Sequence, residues 1–311
     1  NDKRLRVTEL DFDAIKSNLK TFLKAQQEFK DYDFEGSGIN ILLDTLAYNT
    51  HYLGFNANML ANEMFLDSAS LRSSVVSHAK TLGYETTSAR AAYATLNVNL
   101  STADNSKTMP AGTAFTTSVD GTNYRFVTIA DITSSNTGNE VPFDSIKVYE
   151  GSYITTRYTV NTSNVDQKFT LSNANSDTST LIVKVQTSAS DTSTTTYTKA
   201  TDITQLSSNS TVYYLQETDS GLYQVYFGDG VISKSISDGN IVVLQYVVTN
   251  KTLANGADTF SSPSSIDGAT SITVTTVASA TGGSEVETIE SIKLQAPLDY
   301  AAQGRCVTVD D

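Results

Sequence analysis

Few side chains in this sequence could do chemistry, and they are scattered. The two histidines, His51 and His78, fall on different predicted helices, neither belongs to an i, i+4 pair, and the single cysteine, Cys306, is remote from both. A zinc site draws three or four nitrogen and sulfur ligands from short, regular spacings, so neither a metal nor any other cofactor is expected. The nucleophile elbow G-x-S-x-G, the phosphate-cradling G-x-x-x-x-G-K-S/T loop and the dinucleotide fingerprint do not occur, which removes the usual signs of nucleophilic and nucleotide chemistry. The sharpest enzyme-like feature is Gly228-Asp229-Gly230, because an aspartate between glycines can serve as a general acid or a calcium ligand. Strand-like Tyr223 to Phe227 precede it, Val231 and Ile232 follow, and Ser233, Lys234 and Ser235 stand where a calcium loop needs further carboxylates. That spacing reads as a structural turn between strands, and no catalytic residue is assigned.

A second concentration of polar groups fills residues 281–311, where Gly282, Gly283, Glu285, Glu287, Pro297, Gly304, Arg305 and Cys306 lie close in sequence. Glu285 and Glu287 suit the first turn of a helix, whose positive end favours carboxylates. Ile289, Ile292, Leu294 and Ala296 would form its apolar side before Pro297 interrupts it. The stretch reads as a connector, released from what precedes it by the glycine pair.

Ahead of both features the chain is helical by period. Thr8 or Asp11 can cap a helix whose Phe12, Ile15, Leu19, Phe22, Leu23 and Phe29 are apolar, with Lys16, Lys20 and Lys24 along another side. A longer stripe follows through Ile39, Leu42, Leu43, Leu46, Ala47, Leu53, Ala57, Leu60, Ala61 and Met64, and a charge at Leu46 is expected to damage it as a buried face. The first amphipathic helix has two readings, core or surface donated to a neighbouring chain, and Phe12, Ile15, Leu19, Phe22, Leu23, Phe29, Leu42, Leu46 and Leu53 are the candidate partner-binding residues. Ser68 can cap a third helix that ends at Gly83.

From Tyr93 the period switches to two, with turn dipeptides such as Asp120-Gly121 and Asp238-Gly239 between strand candidates. Ile241 to Val248 is nearly all apolar, as a central strand requires. The polar runs at residues 172–180 and 187–196 read as surface loops. The fold class is α+β: N-terminal amphipathic helices, then mainly antiparallel β domains, then a short helical connector. The expected boundaries are a helical assembly region over 1–90, a β-rich part over 91–280 with an inserted Ser/Thr-rich subdomain near 145–220, and a connector over 281–311 leading to a further assembly domain.

A formal charge of −13 and a pI near 4.5 argue against a phosphate-binding surface, so no direct nucleic-acid partner is expected. No apolar run approaches the roughly 20 residues that span a bilayer, so membrane insertion is not expected either. A lone cysteine fits folding in a reducing cytoplasm.

Three separated segments carry a resemblance. The first runs from Asp31-Tyr32-Asp33-Phe34-Glu35-Gly36-Ser37 through Leu42 to Tyr48, then Leu71-Arg72-Ser73-Ser74-Val75-Val76 and Leu82-Gly83-Tyr84. The second pairs Met109-Pro110-Ala111-Gly112-Thr113 with Tyr223 to Gly230 and Asp238-Gly239-Asn240. The third joins Gly282-Gly283, Glu285, Glu287, Ala296-Pro297, Gly304-Arg305, Val307-Thr308 and Asp310. Together they resemble the baseplate J-like proteins of contractile phage tails, and more closely the large wedge proteins of T-even-type phages. The resemblance implies a non-enzymatic subunit of the virion tail baseplate, assembled in the bacterial host cytoplasm. It implies as partners a second copy within each wedge, other wedge proteins joined through the N-terminal helices, and neighbouring wedges closing a sixfold ring around the hub, which changes shape when the tail contracts. The competing expectation is a tail-associated carbohydrate binder, motivated by the Ser/Thr-rich β region and Tyr149, Tyr153, Tyr158 and Tyr197.

Overall fold

The computed structural model describes residues 11–26, 36–164, 167–201 and 206–302. The chain divides into two units, Asn1–Tyr84 with Ile289–Asp311, and Glu85–Thr288.

In the first unit, α1 (Phe12–Lys24) is capped by Asp11, whose carboxylate accepts the Asp13 N–H at 3.1 Å; of the two expected caps, Thr8 lies outside the described residues. Helix α2 (Ile39–Glu63) packs on α1 and buries Leu43, Ala47 and Gly54, and Lys16 of α1 pairs with Asp44. Helix α3 (Arg72–Thr81) is not capped by Ser68, as the sequence suggested. The Ser68 hydroxyl instead donates to Asn62 O at 2.7 Å, closing the end of α2. The Glu63 carboxylate takes the approach to α3, accepting the N–H groups of Ser70 at 2.8 Å and Leu71 at 3.3 Å. A carboxylate reaching back from the preceding helix satisfies donors and complements the positive helix end in one group. Gly83 ends α3 with φ of 83°, and the Tyr84 N–H bonds back to Ala79 O at 3.0 Å.

Helix α4 (Ile289–Ala302) buries Ile292 and Ala296 against Ala69, Val75, Val76 and Ala79. It corrects two expectations. Glu285 and Glu287 precede the helix, whose first turn carries Glu290, and the helix runs on through Pro297. Proline removes one N–H, here the partner of the Lys293 carbonyl, without forbidding helical φ, and the good helix formers Leu298, Ala301 and Ala302 carry the turn onward.

The second unit opens with β1 (Tyr93–Ser101), β2 (Ser106–Met109), β3 (Ala114–Val119), β4 (Thr122–Val127), β5 (Ile132–Ser135) and β6 (Glu140–Glu150). It continues with β7 (Ser152–Thr159), β8 (Phe169–Thr170), β9 (Ser176–Gln186), β10 (Thr194–Lys199), β11 (Val212–Glu217), β12 (Tyr223–Phe227), β13 (Ile241–Val248) and β14 (Ile272–Thr281). An antiparallel five-stranded sheet in the order β14-β1-β6-β4-β3 buries Leu96, Val98, Leu100, Phe115, Phe126 and Phe143, with Phe260 edge-on to Phe126 at 5.0 Å. Asp120 and Gly121, both with positive φ, form the two-residue turn that sets Val119 opposite Thr122.

A seven-stranded sheet follows in the order β7-β13-β9-β10-β11-β12-β8, and only β10 with β11 is parallel. The apolar β13 is central, as its composition predicts. Residues 172–180 and 187–196 are not wholly loops: β9 begins at Ser176 and β10 at Thr194. Ser176, Asp177 and Thr180 are buried there with their polar atoms bonded, so a polar run serves as strand because each side chain finds a partner.

The two sheets meet at carboxylates. Glu150, wholly buried at the end of β6, accepts the Thr249 hydroxyl at 2.7 Å and the Asn250 N–H at 2.8 Å beyond β13. Asp177 on β9 accepts the Ala91 N–H at 2.8 Å just before β1. Between β6 and β7, Gly151 has φ of 127°, and a Cβ there would lie 2.2 Å from Val248 O. No larger residue fits that corner.

Candidate assembly interface

Helix α2 carries more apolar surface than its own unit covers. Leu43 and Ala47 are buried, but Leu42, Leu46, Leu53, Leu60 and Met64, expected on the same buried stripe, stand in solvent, Leu60 at 69%. The reason is geometric. Among the described residues α1 is the helix packed along α2, and one neighbouring helix covers one side of a cylinder.

The uncovered Leu46, Leu53 and Leu60 belong to a regular seam. Ile39, Leu43, Leu46, Thr50, Leu53, Ala57, Leu60 and Met64 follow one another at alternating steps of four and three residues, the spacing of coiled-coil core positions. A second row, Ile41, Tyr48, Tyr52, Phe55 and Met59, is exposed about 160° round the helix from the centre of that seam, at 100° per residue. Tyr48 and Tyr52 stand edge to face with their hydroxyls 2.9 Å apart. That hydrogen bond, with the neighbouring phenol's charge, pushes the Tyr48 phenol up. Between Asp44 and Glu63 the helix carries no carboxylate, lysine or arginine. A solvated helix face is ordinarily lined with charges, so both rows have the composition of contact surfaces.

Sequence reasoning found the leucine row and missed the aromatic one. The signal was there in the spacing of Ile41, Tyr48, Tyr52, Phe55 and Met59, which a single-stripe reading passes over. On α1, Ile15 is buried, Phe12, Leu19 and Leu23 are half-buried and Phe22 is exposed; Phe29 lies outside the described residues.

The remaining candidates are placed as follows. His78 joins its ring Nε2 to Glu63 O at 2.8 Å, and His51 lies edge to face with Tyr52 on α2. Among the described residues, no group of three or more metal-ligating side chains forms. Asp229 accepts the N–H of Val231 at 2.9 Å and of Ile232 at 3.3 Å; these backbone bonds hold its carboxyl below the usual range, so it stays ionised and acts as a turn acceptor. A Cβ on Gly228 would strike Ser233, which fixes glycine there, while Gly230 takes φ of 87°.

Gly282 and Gly283 do not release the chain as expected. The Gly283 N–H and C=O are both held by the Asn255 side-chain amide at 3.0 Å, and a Cβ there would lie 2.3 Å from Lys251 O. Beyond them Ser284 pairs with Arg90, and Glu287 accepts the Thr87 N–H at 2.9 Å. Pro297 lies inside α4, and Gly304 and Arg305 fall outside the described residues. Of the tyrosines nominated for carbohydrate, Tyr197 is in the core, Tyr158 and Tyr153 give their hydroxyls to Thr170 O and Ile129 O, and Tyr149 is half-buried beside Tyr93.

Two uncovered apolar rows on one helix make a surface of the kind that assembly with other chains covers. Residues 11–84 match the family model of the helical domain of gp6-like baseplate wedge proteins, and residues 156–257 match that of the third domain of bacteriophage baseplate wedge protein gp6. The two matches make the helical region and part of the β region similar to domains of baseplate wedge proteins. Baseplate wedge protein gp6 of Enterobacteria phage T4 is 32% identical over 333 residues, covering 96% of this chain and 48% of that protein. The chain thus spans about half the length of that relative. A chain in the cryo-EM structure of the anti-feeding prophage baseplate aligns over 98% of this chain and 63% of its own, with 11% identity and a TM-score of 0.37, too distant a likeness to carry argument.

Proposed function

We propose that the chain is a structural, non-enzymatic subunit of a contractile tail baseplate wedge of the baseplate J-like kind, resident in the virion and assembled in the host cytoplasm. Its α2 rows take helices from neighbouring chains, a second copy and another wedge protein, and wedges so formed join in a sixfold ring that passes on the shape change triggering contraction. In this reading residues 1–90 form the assembly region, 91–280 the β body, and 281–311 the connector to a further domain. The observation that carries it is the pair of apolar rows flanking the α1 contact on a helix with two carboxylates and no lysine or arginine. Two rows suit two partner helices, and permanent complexes bury such surfaces as core.

The test is co-assembly with the other wedge proteins, followed by light scattering. The double variant Leu46→Glu, Leu53→Glu is expected to stay folded and to lose the complex. Unchanged complex formation by that variant refutes the reading.

A further inference from the structure

One concavity in the β unit is unrelated to the helical rows. A pocket of about 370 Å³ is lined by Glu85, Thr86, Thr87, Arg90, Thr178, Ser179, Leu181, Lys199 and Tyr213. That volume is within the range of small-molecule sites, yet the lining has one aliphatic side chain, so an apolar ligand does not suit it.

Its charges are unevenly engaged. Lys199 is paired with Glu85 at 2.6 Å, whereas the Arg90 guanidinium has no hydrogen bond or ion pair among the described residues. The hydroxyls of Thr87 and Tyr213 are likewise without partners among them, although Tyr213 is largely buried. Thr86 and Ser179 already donate to Glu217 at 2.6 Å and Asp177 at 2.6 Å, which leaves their oxygens as acceptors. One uncompensated cation with a ring of donors and acceptors matches a monoanion that itself carries hydroxyls. Glu85 disfavours a dianion such as phosphate, and the volume exceeds what a bare carboxylate fills.

We propose that this pocket binds a carboxylate-bearing sugar of the uronic acid class, its carboxylate on Arg90 and its ring hydroxyls on Thr86, Thr87, Ser179 and Tyr213. The arginine fork accepts a carboxylate through two parallel bonds, and the surrounding hydroxyls select a sugar over a simple acid. This inference goes beyond the wedge reading and does not depend on it.

The experiment is an NMR titration of the chain with glucuronate, with glucose and acetate as comparators. Glucuronate is expected to shift the amides of Thr87, Arg90, Thr178 and Ser179 saturably, with glucose and acetate each at least roughly tenfold weaker. Arg90→Gln should weaken glucuronate by roughly ten- to hundredfold without altering the remaining spectrum, and Arg90→Lys should keep part of the affinity. Acetate binding as tightly as glucuronate overturns the sugar assignment. No saturable shift, or equal affinity in Arg90→Gln, overturns the site.

Discussion

The helical unit and the β unit dispose of their difficult groups in opposite ways. In the β unit, the two carboxylates where the sheets meet are buried and answered: Glu150 and Asp177 have no cation beside them among the described residues, yet each accepts three hydrogen bonds. In the helical unit, groups that are costly to expose are exposed, and α2 shows large apolar side chains on two sides. Buried polar networks specify a unique packing when every member is satisfied, whereas unpartnered apolar rows leave a surface waiting for a neighbour. The β unit has the energetics of a finished body, and α2 those of an interface.

Gly151 offers the largest test of the finished half. Gly151→Ala places a methyl within 2.2 Å of Val248 O at φ of 127°, so about 4 kcal/mol or more of stability should be lost, read as a lowered denaturant midpoint. Wild-type stability in that variant would mean the two sheets are not joined tightly there. Next comes Asp177→Ala, which strands the Ala91 N–H and the donors of Ser179, and should cost about 3 kcal/mol. A loss below about 1 kcal/mol would show that water replaces the carboxylate and that the joint is loose.

How much of this was legible in the sequence follows the same division. Local signals were readable: Asp11 as a cap, Gly83 as a helix end, Asp120-Gly121 as a hairpin turn, and β13 as a central strand all rest on residues acting within a few positions. Long-range substitutions of one partner for another were not. Nothing near residue 68 says that Glu63 rather than Ser68 serves the start of α3, and nothing in the Ser/Thr run says that Asp177 will be paired with Ala91. Gly282-Gly283 looked like slack because glycine permits many conformations, but here the residue is required by the closeness of Lys251. For α2 the residues were right and the environment wrong, since periodicity locates an apolar stripe without saying which chain covers it.

The exposed rows can be separated from the covered one by substitution. Leu43→Ala, at a buried position of α2, should destabilise the helical unit by about 2 kcal/mol, the lower end of the range for a buried leucine. Tyr52→Ala and Leu53→Ala should leave the isolated chain within about 0.5 kcal/mol of wild type while weakening wedge assembly tenfold or more. Thermal unfolding of the chain and sedimentation of the complex read the two effects. If Leu53→Ala destabilises the isolated chain as much as Leu43→Ala, the leucine row is core and the contrast between the units fails.

Glu63 gives the smallest effect and the most specific one. Burial raises its carboxyl pKa, but hydrogen bonds from Ser70, Ser74 and Leu71 outweigh that and hold it down to about 2. Because the folded value lies below the ordinary 4.5, the corner between α2 and α3 gains stability that is complete above pH 4.5 and is lost as pH falls towards 2. The protection of the Ser70 and Leu71 amides, taken relative to their intrinsic exchange rates, should therefore fall across that window in the wild type. In Glu63→Gln the same amides should be less protected at neutral pH, with little further change in protection down to pH 3, since the amide can accept but never titrates. A pH-independent wild type would show that these donors are held by something other than the carboxylate's charge.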